Sequence, residues 1–182
     1  MTRSRTVLLT GIAALGLALI LSIGAGRKPG PTAANKQAVR EVFPAMDRQD
    51  YARCRELWPA AEPGRKPFQI VGSPDMDREE LIGFLQAYWK AFPDTVHVIE
   101  ELVAEGDMVV AHVRCEGTHR GPLEDLPPTG RRVRYEGIHI VRFAGGRIRS
   151  WWAMDDNLGL MQQLGMQLAP RPGPPEPLIK GQ

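Results

Sequence analysis

Cysteine is scarce in this 182-residue chain, which has only Cys54 and Cys115. Two cysteines exclude a disulfide framework and allow one bridge at most. Neither Cys-x-x-Cys nor His-Glu-x-x-His occurs, so no zinc signature is present and no metal or other cofactor is expected. Excess charge is lacking as well. The net charge is +2, from 23 basic and 21 acidic residues. Positions 1–26 contribute Arg3 and Arg5 and no acid, so the remainder is neutral. A neutral domain is a poor partner for nucleic acid, whose binding depends on neutralising phosphates. There is no internal repeat. Gly and Pro together stay below the roughly 25–30% that marks low-complexity chains. With 43% apolar and 24% charged residues, the composition is that of one ordinary globular domain.

One long apolar run stands out, TVLLTGIAALGLALILSIGAG over 6–26, with Arg3 and Arg5 before it and Arg27 and Lys28 after it. It reads either as a cleaved secretory signal peptide or as a transmembrane anchor, since about 20 apolar residues span a bilayer. Either reading expects the rest of the chain to be membrane-anchored or exported, if Arg3 and Arg5 hold the N-terminus inside. An uncleaved segment would make the membrane a partner. Residues 27–34, punctuated by Pro and Gly, read as a linker. Residues 169–182, with five prolines, read as an extended or disordered tail. One domain lies between, at 35–168.

Val39, Val42, Phe43 and Met46 have helical spacing. Asp50 is placed to cap a second helical piece carrying Tyr51, Cys54, Leu57 and Trp58. Asp77 and Glu80 form a capping-box start for a third helix. Its apolar face is Leu81, Phe84, Leu85, Tyr88, Trp89 and Phe92, and Pro93 stops it. Strand-like segments follow at Val96–Val103, Met108–Gly117, Arg132–Phe143 and Arg147–Met154, separated by Gly-rich or Pro-rich turns. A short helix with Leu160, Met161 and Leu164 closes at Gly165. Helices first and strands afterwards predict an α+β fold, a curved antiparallel sheet packed on N-terminal helices.

The second half carries an ordered set of short elements. They are Phe92-Pro93-Asp94, Ala104-Glu105-Gly106-Asp107, Gly117-Thr118-His119, Pro128-Thr129-Gly130-Arg131, Arg142-Phe143, Gly146-Arg147-Ile148, Trp152 with Asp156, and Gln163-Leu164-Gly165. Over about 36–166 the chain resembles the SnoaL-like polyketide cyclase (ester cyclase) family of the nuclear-transport-factor-2-like superfamily. The resemblance implies a cone-shaped fold that hosts cyclases, isomerases, hydrolases and pure binders. It implies a small hydrophobic carbonyl compound as ligand.

Two-residue alternation in the last strand predicts that Ile148, Ser150, Trp152, Met154 and Asp156 share the inner face, with Trp151 outside. By resemblance Asp156 occupies the position of the family's catalytic acid/base. The alternative is that it caps the last helix. His119, at a strand end, and His139, alternating with Val133, Tyr135, Val141 and Phe143, are the other candidate catalytic groups. Each has a plain structural alternative, a strand-end and a core histidine respectively. Trp152 and Tyr135 are candidate walls for a flat ligand, with core packing as the alternative. Six arginines between Arg131 and Arg149 read as a solvated outer face, and pairing of two copies through that face would make a homodimer. His97 and His112 show no third ligand by spacing, and neither cysteine has a neighbouring base in the sequence. Two functions are expected: acid–base chemistry on a carbonyl compound, or a tethered or exported module that only binds one.

Overall fold

The structure is a computed structural model that describes residues 30–60, 62–167 and 169. The leader at 1–26 and nearly all of the tail expected at 169–182 lie outside the described residues. Helix α1 spans Pro31–Asp47 and so begins inside the stretch expected as linker. Proline suits a first helical position, because its missing N–H is one that would go unpaired there in any case. Val39, Val42, Phe43 and Met46 form the buried stripe of α1, as their spacing predicts. Helix α2, Tyr51–Leu57, is capped by Asp50, whose carboxylate accepts from Arg53 N. Helix α3, Arg78–Ala91, starts with the expected capping box, in which Asp77 and Glu80 satisfy each other's backbone N–H groups. These caps resemble those whose loss typically costs ~1 kcal/mol.

Strands β2 (Val96–Glu105), β3 (Met108–Thr118), β4 (Arg132–Ala144) and β5 (Arg147–Asp155) form an antiparallel meander. The β4–β5 connection is Gly145-Gly146, both at positive φ, as a two-residue hairpin with the native twist requires. A short strand missing from the sequence reading, β1 (Phe68–Ile70), adds to the outer edge of β5 in parallel. The five-stranded order is β1-β5-β4-β3-β2, and the helices close one face of the curved sheet. Helix α4, Asn157–Leu164, ends the domain, with Gly165 at φ 100° as its left-handed cap.

On β4 the inward row is Val133, Tyr135, Gly137, His139, Val141 and Phe143, which matches the expected alternation. On β5 the expected alternation fails. Arg142 pairs with Ser150 but Phe143 pairs with Ile148, leaving Arg149 as an extra residue. A bulge of this kind moves every later side chain to the other face. Ile148 points inward as expected, but Trp151, Ala153 and Asp155 then follow it inward. Trp152 and Met154 therefore face outward, which corrects the sequence reading. The six arginines are all exposed, as expected of a solvated face.

Candidate active site

Between α1, α3 and the sheet lies a cavity of about 120 Å³. Its floor comes from β4 and β5. Trp151 Nε1–H donates to His139 Nδ1 at 2.9 Å. That bond uses the acceptor nitrogen of a neutral imidazole, so the proton of neutral His139 resides on Nε2. His139 Nε2 faces Asp155 Oδ1 at 3.4 Å. The Asp155 carboxylate accepts no hydrogen bond among the described residues, and His139 Nε2 has no hydrogen-bond partner either. Gly137, opposite Asp155 in the β4–β5 register, makes room for the carboxylate. A Cβ at Gly137 would collide with Asp155 Oδ1 and lie 3.3 Å from His139 Nε2.

The walls add further polar groups. The Tyr88 and Tyr135 hydroxyls are 2.6 Å apart. Burial raises both phenols well above their ordinary range, so both remain O–H donors at neutral pH. One donates to the other, and the second proton is free for a ligand oxygen. Trp58 and Trp89 line the cavity, and their buried indole N–H groups have no partner among the described residues. Buried donors without partners are rare in folded proteins, and three such N–H groups around one cavity suit a ligand rich in oxygen acceptors. On the far wall, His97 Nδ1 lies 2.5 Å from Asp47 Oδ1, and the His97 backbone N–H donates to Asp47 Oδ2 at 3.0 Å. Phe43 stands between the two histidines, with ring centroids 5.6 Å from His97 and 5.3 Å from His139.

Of the five residues expected at the site, Tyr135 and His139 line this cavity and three do not. Asp156 is exposed and caps α4, accepting from Gly159 N at 2.8 Å. Trp152 lies on the outer face, paired with Ile140. His119 is fully buried beside Phe92, and its Nδ1 takes the Thr129 backbone N–H at 3.2 Å, tying the ends of the β3–β4 connection together. The sequence reading missed Asp155, Trp151 and Tyr88 as members of the site. One signal was available for Asp155: a glycine in the inward row of β4 leaves a gap that only a side chain from a neighbouring strand can fill.

A curved sheet closed by helices over an internal cavity, with a histidine, a carboxylate and two phenols converging on it, defines a cone-fold protein with a candidate internal site. Residues 36–164 match the family model of the SnoaL-like polyketide cyclases, and the chain belongs to that family. It is 39% identical over 118 residues to aklanonic acid methyl ester cyclase DauD of Streptomyces sp. (strain C5), a match covering 61% of this chain and 73% of that protein. It is 33% identical over 87 residues to nogalonic acid methyl ester cyclase of Streptomyces nogalater, covering 47% of this chain and 63% of that one. Among solved structures, IdmH of Streptomyces antibioticus is 26% identical, with a TM-score of 0.63 over 72% of this chain and 99% of the other.

Proposed function

We propose that this chain is a cofactor-free cyclase for a small carbonyl compound, with Asp155 as the group that moves the proton. The observation that carries this reading is the Asp155 carboxylate itself: partly buried at the cavity, free of hydrogen bonds and facing the one unpartnered nitrogen of His139. A carboxylate so placed takes a proton from carbon next to a carbonyl. The enolate carbon then attacks a second carbonyl of the same molecule, a C–C bond forms, and the new alkoxide recovers the proton from Asp155. His139 Nε2–H and the free tyrosine O–H stabilise the oxygens on which negative charge develops. The names of the relatives favour the methyl ester of a polyketide acid as substrate class. A cavity of about 120 Å³ admits the reacting end of such a molecule, with the remainder outside it.

Asp155→Asn is expected to keep the melting temperature and lose roughly 10²–10⁴ in kcat, the usual share of general acid–base catalysis. Asp156→Asn keeps both, because Asn caps a helix as well as Asp does. Full turnover in Asp155→Asn removes the assignment. Ligand-induced stabilisation of the wild type without any turnover assigns the cavity to binding alone.

A further inference from the structure

The wall across Phe43 carries groups that the proton transfer above does not use. The β2–β3 register sets His97 directly opposite Cys115. Such cross-strand partners have Cβ atoms about 4.5–5.5 Å apart. Both side chains line the cavity, so this pairing sets the Cys115 thiol beside the His97 ring. Asp47 holds the ring from the other side through Nδ1, at 2.5 Å. That leaves Nε2 for the sulfur. A thiol beside an imidazole that a carboxylate holds is the arrangement from which a cysteine nucleophile is built. Burial works against a charged His97, but the contacts with Asp47 and Cys115 outweigh it and raise the imidazole to about 10. The other titratable groups around this wall are Tyr88 on α3, Tyr135 and His139 on β4, and Asp155 on β5. Cys54 has no such setting. It lies on α2 outside the cavity, and burial pushes its thiol up to about 11.

A second observation points to a ligand here. Trp89 is 97% buried by its 3% exposure, its ring lies 6.3 Å from that of His97, and its N–H has no partner. His139, 7% exposed, presents an unpartnered Nε2 to the same cavity. Both suit a carbonyl oxygen of a ligand in the cavity that Cys115 also lines.

We infer that Cys115 is a nucleophile toward α,β-unsaturated carbonyl compounds bound in this cavity, with His97 as its acid–base partner and Asp47 as the residue that positions His97. The thiolate lone pair forms a C–S bond to the β-carbon, and the C=C electron pair becomes the enolate. The enolate α-carbon takes the proton carried by His97. Reversal returns the proton, expels the thiolate and restores the olefin, so no oxidant or reductant is needed. The inference goes beyond the proposed proton transfer and does not depend on it.

The test is alkylation of the full chain by acrylamide, followed residue by residue by mass spectrometry from about pH 6 to pH 9. Cys115 is expected to react at least tenfold faster than Cys54 at the acidic end, at a rate nearly constant up to neutral pH. In His97→Asn the acidic-end rate falls at least tenfold and climbs with pH like an ordinary thiol. Asp155→Asn leaves the labelling intact, which separates failure of this inference from failure of the cyclase reading. No labelling of Cys115, or a wild-type rate that climbs with pH as in the variant, overturns it. If His97→Asn does not fold, the ultraviolet thiolate absorbance of wild type minus Cys115→Ser at about pH 6 decides: present, it supports the pair; absent, it refutes it.

Discussion

His97 and His139 stand on either side of Phe43, and each faces a carboxylate, at 2.5 Å and 3.4 Å respectively. The partners are committed to different degrees. Asp47 receives the His97 ring on one oxygen and the His97 backbone N–H on the other, so it ties the end of α1 to the start of β2. It sits at the C-terminus of α1, where the helix dipole disfavours an anion and a protonated imidazole offsets that. Asp155 receives no hydrogen bond among the described residues, and its histidine is steered from behind by Trp151. A carboxylate whose lone pairs are already used holds structure together. One whose lone pairs are free can accept a proton from a ligand. The two walls therefore differ in their carboxylates, one committed to positioning its histidine and the other open to the cavity.

Three changes sharpen or break this division. The largest effect is expected from Asp47→Asn, which leaves a buried imidazole without its anion and costs about 3 kcal/mol in urea unfolding. A loss below about 1 kcal/mol would make the two walls alike. Next comes pH. The folded value of His97 is raised from 6.5 to about 10, so its stabilisation is complete below 6.5 and is lost as pH rises through about 10. Wild-type melting temperature is expected to fall over that window, and the His97→Asn variant to lack the decline. A parallel decline in both places its origin elsewhere. The smallest effect is expected from Trp151→Phe. It frees His139 Nδ1 and loosens the tautomer by about 1 kcal/mol, roughly a fivefold loss of kcat with KM little changed. A loss in KM alone would recast Trp151 as a ligand wall.

Much of the fold was legible because local chemistry dictates it. The caps Asp50 and Asp77, the stop at Pro93, the Gly145-Gly146 hairpin and the inward row of β4 all rest on neighbours within a few residues. β1 was not legible, since three residues show no alternation and its pairing with β5 spans some eighty positions of chain. At the site, Tyr135 and His139 followed from simple alternation. Asp155 did not, because the extra residue at Arg149 leaves no mark in a strand where arginine and tryptophan suit either side. Asp47 and His97 meet across fifty residues, and Cys115 reaches His97 only through strand pairing. Side chains brought together by tertiary structure carry no local signature.

The bulge at Arg149 also decides which of two adjacent aspartates the cavity receives. Drawn into the ladder as an ordinary strand residue, Arg149 would leave unbroken alternation from Ile148 onward, and Trp152, Met154 and Asp156 would turn toward the interior while Trp151 and Asp155 turned to solvent. Deleting Arg149 would have the opposite result, since it removes the extra residue and keeps Trp151 and Asp155 inward. Two aspartates of identical chemistry thus become helix cap and cavity carboxylate through one unpaired residue.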